Sequence, residues 1–223
     1  MKLLLTSAGI TNASIRDALV ELLGKPVEEA NALCIPTATH CMPGGADLGW
    51  RFISGNEPRT PMVELGWRTV GVLELTALPS IDRDIWVSRV EEADVLLVGG
   101  GDTLYLCRWM RESGLADLLP TLQDIVYVGF SAGSCVLTPS IGEALVLSMP
   151  PGGSDETLGL VDFSIFPHVD HPDMPPGFTM ADAQRWAAGM RRTCYVIDDS
   201  TAIKVVDGQI DVVSEGTWRL LTP

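Results

Sequence analysis

The strongest constraint on this chain is the alternation of short apolar runs with helical patterns through its first two-thirds. The apolar runs lie at residues 3–6, 32–36, 70–75, 94–98 and 125–128, and amphipathic helical stretches separate most of them. Repeated units of this kind are typical of parallel strands joined by crossover helices. We therefore predict an α/β fold, a doubly wound and mainly parallel sheet flanked by helices.

The last third of the chain carries shorter strand patterns. They lie at residues 163–166, 195–197, 202–206, 210–213 and 218–221. Asp207-Gly208 between two of them is typical of a two-residue hairpin turn. These strands predict antiparallel edges on the sheet near the C-terminus. Because neither a linker nor a repeat interrupts the pattern, we predict a single domain over residues 1–223.

Two local features are also predicted. Ser14 is expected to be the N-cap of the first helix, whose apolar residues lie on one face at positions 15, 19, 22 and 23. Residues 37–61 lose all periodicity and contain several glycines and prolines. We predict a long irregular loop there, and loops of that length inside a domain often carry function.

The charge balance excludes several classes of partner. The formal net charge is −14, which disfavours binding to nucleic acid or to an anionic membrane. The apolar run at residues 3–5 is too short for a secretory signal, and five widely spaced cysteines suggest reduced thiols. We therefore expect a cytoplasmic protein. The spacing of histidine and cysteine residues predicts no metal site, and no cofactor motif is found.

The motif with the clearest chemical meaning is Gly-Phe-Ser-Ala-Gly at residues 129–133. It directly follows a predicted buried strand and fits the Gly-x-Ser-x-Gly nucleophile elbow. Ser131 is therefore a candidate nucleophile, and a purely structural turn is the alternative. Cys135 lies one helical turn further on and is interpreted as a packing residue.

A serine nucleophile needs a base and an acid. The chain offers His40, His168 and His171, and we favour His168 because it follows a predicted strand and comes after the serine in the chain. Asp198 and Asp199 end the strand at 195–197. One of the two is expected to face the imidazole and the other to point away, and a solvated turn is the alternative.

An oxyanion also needs backbone N–H donors. Gly-Gly-Gly at residues 99–101 ends the fourth strand and precedes a helix, so Gly100 and Gly101, with Ala132, are candidate donors. A phosphate-binding loop is the rival interpretation, but the GxxxxGK[ST] and GxGxxG patterns are absent. The candidates for substrate contact are Asp102, Thr103, His171 and Arg185.

Several of these motifs together resemble the peptidase E family, which comprises aspartyl dipeptidases and, more distantly, cyanophycinases. They are Gly-Gly-Gly-Asp-Thr at 99–103, Gly-Phe-Ser-Ala-Gly at 129–133, Pro-His at 167–168 and Asp-Asp-Ser-Thr-Ala at 198–202. The segments 3–9 and 34–38 are also similar to that family. The resemblance covers residues 3 to about 206, with the motifs in the family's order.

The resemblance implies a class I glutamine amidotransferase-like fold and a metal-independent triad of Ser131, His168 and Asp199. It also implies oxyanion donors at Gly100 and Ala132, and hydrolysis of dipeptides or short peptides, Asp-X dipeptides among them. The expected partner is a short peptide substrate, and a homodimer is left open.

One region departs from the family pattern. Asp182 stands where aspartyl-specific members carry an arginine, while Arg185 keeps a later basic position. This departure argues against a preference for an N-terminal aspartate. Two other functions remain open on the sequence: a binding protein that does not hydrolyse its ligand, and an esterase or amidase with the same triad.

Overall fold

The computed structural model describes residues 1–147 and 153–223. Its strands are β1 (Lys2–Thr6), β2 (Asn31–Ile35), β3 (Thr69–Val72), β4 (Val95–Val98), β5 (Val126–Phe130), β6 (Ser164–Phe166), β7 (Cys194–Ile197), β8 (Thr201–Val206), β9 (Gln209–Ser214) and β10 (Trp218–Leu221). Its α-helices are α1 (Ala13–Leu23), α2 (Gly45–Ile53), α3 (Arg83–Glu91), α4 (Thr103–Glu112), α5 (Leu115–Leu118), α6 (Ala132–Cys135) and α7 (Met180–Met190).

The main sheet has seven strands in the order β3-β2-β4-β5-β1-β8-β9. The five strands from β3 to β1 pair in parallel, and β8 and β9 are antiparallel to their neighbours. The predicted α/β class with antiparallel strands near the C-terminus is therefore confirmed. The turn at Asp207 and Gly208 also forms as predicted, with φ values of 50° and 81°.

Side chains alternate between two hydrophobic clusters, one on each face of the main sheet. Leu4 faces the cluster that holds the apolar side of α1 and Phe52 of α2. Leu3 and Leu5 face the other cluster, which holds apolar residues of α3, α4, α5 and α6. Because both faces are covered, the central strands are apolar throughout their length, as in other parallel sheets.

A second sheet has the order β10-β7-β6 and was not predicted. In β7, Tyr195 and Ile197 pack into the cluster below the main sheet, whereas Cys194 and Val196 pack against Trp186 of α7. The sequence pattern predicts that these segments are strands, but it does not indicate which strands pair with one another. Of the strands in the described ranges, β8 and β9 alone extend the main sheet in the antiparallel sense.

Two local predictions were wrong. Residues 37–61 are not irregular throughout, because α2 lies inside this segment. Asn12, not Ser14, caps α1, and its side chain accepts a hydrogen bond from the Ile15 N–H at 2.9 Å. Ser14 instead donates its N–H and its hydroxyl to Glu215.

The topology brings the ends of several strands to one edge of the main sheet. The carboxyl ends of β1, β4 and β5 lie there because these strands are parallel. The amino end of β8 joins them, since Thr6 pairs with Ala202 in an antiparallel register. The turn between β7 and β8 therefore lies beside the end of β1, at the edge where α/β sheets bind ligands.

Candidate active site

Ser131 lies at a sharp turn between β5 and α6. Its backbone has φ 50° and ψ −115°, a conformation that is strained for a residue with a side chain. The Ser131 N–H donates to the Thr6 carbonyl at 3.1 Å, and its carbonyl accepts from the N–H groups of Ser134 and Cys135 at 2.9 Å. This strand-to-helix turn has the geometry that holds a nucleophilic serine in α/β hydrolytic sites.

Two glycines leave room for the turn. A Cβ atom on Gly129 would lie 2.5 Å from the backbone of Gly133. A Cβ atom on Gly133 would collide with the Val98 carbonyl on the neighbouring strand. Because the backbone atoms of α6 and of the neighbouring strand β4 cannot move aside, the Gly-x-Ser-x-Gly spacing is required by close approach at both ends of the turn.

A continuous chain of hydrogen bonds joins Ser131, His168 and Asp199. Ser131 Oγ is 2.9 Å from His168 Nε2, and His168 Nδ1 is 2.7 Å from Asp199 Oδ1. A carboxylate only accepts, so the proton between the second pair lies on Nδ1 and the Nε2 lone pair faces the serine hydroxyl. This arrangement can remove a proton from Ser131.

Asp199 is ionised in this environment. Burial by itself would raise the pKa of its carboxyl group, but hydrogen bonds from His168 and Ser7 and the favourable electrostatic interaction with the imidazoles of His168 and His171 outweigh that effect. The resulting pKa lies below the usual value for aspartate. The carboxylate therefore remains charged and can stabilise a protonated imidazole.

The two adjacent aspartates have different surroundings. Asp198 accepts hydrogen bonds from the Ser200 N–H at 3.0 Å and the Thr201 hydroxyl at 2.7 Å, and also from the Thr217 N–H. Its carboxylate therefore holds the turn before β8. Of the two candidates, the structure brings Asp199 to the imidazole.

The glycine loop lies beside Ser131. Gly101 has φ 136° and packs so closely on Ala38 that a Cβ atom would collide with its carbonyl. The Gly99 N–H donates to the Ile35 carbonyl at 3.0 Å. Within the part of the chain that the structure describes, no protein acceptor binds the N–H groups of Gly100, Gly101 or Ala132. These groups are available to bind an oxyanion.

Two cavities flank His168. The larger has a volume of about 620 Å³ and is lined by Gly100, His171, Asp199 and several residues of the 37–61 segment, among them Phe52 and Arg59. The smaller has about 100 Å³ and is mainly apolar, with Ser131, Ile141, Leu145 and Phe178 in its wall. A further cavity of about 680 Å³ lies between β3 and α3 and shares no residue with the other two.

The sequence of this chain matches that of a known family. The family model of Peptidase family S51 matches residues 3–213. The chain belongs to peptidase family S51. The predicted resemblance to the peptidase E family is thereby confirmed.

Individual relatives support the same assignment. Peptidase E of Streptomyces coelicolor is 37% identical over 95 residues, which are 42% of this chain and 38% of the relative. Peptidase E of Escherichia coli O1:K1 / APEC is 28% identical over 142 residues, 61% of this chain and 59% of the relative. The chain thus spans less than two-thirds of either relative. The structure of a peptidase from an acI-B1 Actinobacterium has the same fold, with a TM-score of 0.67 at 19% identity over 99% of this chain and 93% of that one.

Not all predicted contact residues of this S51 protein lie at the site. Thr103 lines the smaller cavity and His171 the larger. Asp102 is buried and caps α4 by accepting from the Tyr105 N–H at 2.8 Å. Arg185 lines neither cavity and instead pairs with Asp182 on the exposed side of α7.

His40, one of the candidate bases, has a local partner, and Cys135, interpreted as a packing residue, is buried. His40 Nδ1 lies 3.3 Å from Glu74 Oε2, away from Ser131. Burial raises the pKa of Cys135 to about 12, so its thiol stays protonated inside the core. Across residues 1–147 and 153–223, no cluster of three or more potential ligands could hold a metal ion.

Ser7 is the residue at this site that sequence reasoning missed. Its hydroxyl donates to Asp199 Oδ1 at 2.6 Å and accepts from the backbone N–H of His168 at 2.8 Å. The available signal was a polar residue directly after β1, at the strand end next to Ser131. In the sequence it was interpreted only as part of a turn.

None of the helices in the described ranges has both the length and the apolar character needed to cross a membrane.

Proposed function

We propose that this member of family S51 is a serine exopeptidase that hydrolyses dipeptides or short peptides. Ser131 is the nucleophile, His168 the general base and Asp199 the acid that orients it. The observation that carries the proposal is the hydrogen-bond chain of 2.9 Å and 2.7 Å through the two nitrogens of His168. Membership of a peptidase family supports a peptide bond as the target.

The proposed reaction begins when His168 Nε2 takes the proton of Ser131 and Oγ attacks the scissile carbonyl carbon. Asp199 holds the imidazole in the required tautomer and stabilises the imidazolium that forms. His168 then protonates the leaving amine, which leaves an acyl group on Ser131. A water molecule activated by the same imidazole releases the acid and restores the hydroxyl.

The negative oxygen of each tetrahedral intermediate is proposed to bind the N–H groups of Gly100, Gly101 and Ala132. The unoccupied donors at these positions support this assignment. Because the glycines carry no side chains, a substrate carbonyl can approach their backbone. Donors fixed in advance stabilise the transition state more than the ground state.

The cavities support short substrates with neutral side chains. Among the residues that the structure describes, the wall of the smaller cavity next to Ser131 contains neither Lys nor Arg. Of the same residues, Arg59 alone brings a Lys or Arg side chain to the larger cavity, and its guanidinium already lies near Glu57 and Asp173. We therefore propose that dipeptides with a small apolar first residue are cleaved faster than Asp-X dipeptides.

The test is the activity of Ser131→Ala on a panel of dipeptides that vary in the first residue. Loss of the nucleophile is expected to lower kcat by about 10⁴-fold or more. Ser88→Ala, which removes an exposed hydroxyl on α3, should keep full activity. A fluorophosphonate should label the wild-type protein at Ser131 and leave the Ser131→Ala variant unlabelled.

Peptide cleavage by Ser131→Ala at the wild-type rate would refute the proposal. A protein that gives a thermal shift with peptides but neither cleaves them nor reacts with the fluorophosphonate would be a binding protein. Cleavage of p-nitrophenyl esters without cleavage of any dipeptide would identify an esterase.

A further inference from the structure

Ser7 is a buried hydroxyl residue that contacts both the proposed acid and the proposed base. It directly follows β1, and its relative exposure is 0%. Its Oγ lies 2.6 Å from Asp199 Oδ1, 2.8 Å from the backbone nitrogen of His168 and 3.3 Å from His168 Nδ1. One side chain therefore links two residues that come from different strands.

The donors and acceptors of these contacts assign a direction to each bond. The carboxylate of Asp199 can only accept, so the Ser7 hydroxyl proton points to Oδ1. The backbone N–H of His168 can only donate, so it is bound by an oxygen lone pair of Ser7. The hydroxyl proton and one of the two oxygen lone pairs are thus engaged, and the two partners fix the orientation of the hydroxyl.

The contact with His168 holds an unusual backbone. His168 has φ 57°, a left-handed conformation that residues with side chains rarely adopt. The hydrogen bond from its N–H to Ser7 stabilises this conformation, which sets the direction of the imidazole towards Ser131. A change in that direction would lengthen the 2.9 Å contact between Nε2 and Ser131 Oγ.

The contact with Asp199 is one of several between the loop after β1 and the turn before β8. Thr11 Oγ1 donates to the Asp199 carbonyl at 2.7 Å, and Asn12 Nδ2 donates to the Ser200 carbonyl at 2.9 Å. These two bonds hold the backbone of the turn. Ser7 alone in this loop bonds the carboxylate, on the same oxygen that receives His168 Nδ1–H.

We propose that Ser7 is a positioning residue that fixes the carboxylate of Asp199 and the backbone of His168 relative to each other. This inference rests on the proposed function of Ser131, His168 and Asp199. Ser7 does not touch the substrate or the reacting atoms. It keeps the carboxylate of Asp199 and the imidazole of His168 in fixed relative positions, so that the Nε2 lone pair of His168 points to the Ser131 hydroxyl.

The test compares Ser7→Ala with Ser164→Ala. Ser164 is an equally buried serine whose hydroxyl donates to the Ser140 carbonyl at 2.7 Å, and it lies at the far end of β6 from His168. Ser7→Ala is expected to lower kcat by roughly 10- to 100-fold, because small misplacements of reacting groups have effects of that size. KM should change less than threefold, and Ser164→Ala should keep the kcat of the wild type.

A double-mutant cycle separates positioning from a general loss of folding. In the Asp199→Ala background, Ser7→Ala should lower kcat by a smaller factor than in the wild type, because one of the two groups that Ser7 holds is gone. Full additivity of the two losses would overturn the inference. So would a Ser7→Ala variant with wild-type kcat, or a Ser164→Ala variant with an equal loss.

If Ser7→Ala does not fold, Ser7→Thr and Ser7→Val give the same comparison with matched shapes. The Thr variant should be at least tenfold more active than the Val variant, and equal activities would overturn the inference. The rate at which a fluorophosphonate labels Ser131 is measured for every variant as well, because this reaction needs no peptide substrate. Wild-type labelling without dipeptide cleavage would count against the proposed function while leaving the test of Ser7 intact.

Discussion

At the scale of single residues, the candidate site depends on backbones held in left-handed conformations. Ser131 and His168 both have positive φ, at 50° and 57°. Hydrogen bonds from neighbouring strand ends hold each of them: Ser131 bonds the carbonyl of Thr6, and His168 bonds the hydroxyl of Ser7. Strain of this kind persists only where surrounding contacts fix it.

The ionisation of Asp199 leads to a prediction about stability and pH. Its folded pKa is lower than its unfolded pKa, which is about 3.9. At pH values between these two pKa values, the unfolded state binds more protons than the folded state. The contribution of Asp199 to the free energy of unfolding is therefore complete above the unfolded pKa. It is lost as the pH falls through the folded pKa.

We expect the difference in the free energy of unfolding between wild type and Asp199→Asn to be largest above pH about 5 and to shrink below about 4. Urea unfolding of both proteins at several pH values measures it. The other carboxylates of this acidic chain titrate in both proteins, so their contributions cancel in the difference between the two free energies of unfolding. A difference that stays constant down to pH about 3 would contradict the assignment.

Residues near the site were predictable where chemistry and strand ends coincide. Ser131, His168 and the pair Asp198-Asp199 each follow an apolar run that forms a strand. Ser7 was not predictable as their partner, because it lies 161 residues from His168 and 192 from Asp199 in the chain. A local sequence pattern does not indicate which hydroxyl group will form a hydrogen bond with which carboxylate in the folded chain.

At the scale of elements, α4 begins at the glycine loop and fixes its position. The Asp102 side chain accepts from the Tyr105 N–H at 2.8 Å, and its backbone N–H donates to the Ala38 carbonyl at 2.9 Å. The cap therefore ties the helix start to the turn after β2. Asp102, expected to contact substrate, caps the helix that begins at the glycine loop, and Gly101 of this loop lines the same cavity as Ser131.

Asp102→Ala is expected to lower stability by about 1 kcal/mol through loss of the cap, and to lower kcat by loosening the glycine loop. Asp102→Asn should keep both stability and activity close to the wild type, since asparagine caps a helix equally well. Thermal unfolding and dipeptide kinetics measure the pair. If Asp102→Asn instead raised KM at unchanged stability, the carboxylate would be a substrate contact.

The elements missed by the sequence have weak local signals. α2 has Gly44 as its N-cap, without any side-chain hydrogen bond, and it includes Gly45 and Gly49. Glycines inside a short segment favour a loop in any reading based on propensity. Packing of Phe52 into the cluster that also holds the apolar side of α1 stabilises this helix, and that contact is tertiary.

At the scale of the whole molecule, one hydrophobic cluster joins the two sheets. Ile165, Tyr195 and Ile197 of the smaller sheet share it with Leu3, Leu5 and Tyr127 of the main sheet. Phe163 and Tyr195 stack edge to face within it, with ring centroids 4.9 Å apart. The alternating pattern of the first two-thirds predicted the main sheet, whereas the division of the last strands between two sheets depends on this long-range packing.

Because the cluster is shared, the two sheets are expected to unfold together. Ile165→Ala should lower stability by about 2–5 kcal/mol, while Ile210→Ala on the exposed strand β9 should have little effect. Near-ultraviolet circular dichroism and fluorophosphonate labelling should lose signal at the same temperature in each protein. Separate transitions for the two probes would contradict both the shared core and the predicted single domain.

The proposed reactive groups come from both sheets. Ser131 follows a strand of the main sheet, His168 follows a strand of the smaller one, and Asp199 lies in the turn that leads from one to the other. The distance between nucleophile and base is thus a measure of how the two sheets are spaced. We expect a substitution in the packed layer between them to change the rate of the proposed reaction while every residue of the site is unchanged, because the volume of that core sets the spacing of nucleophile and base.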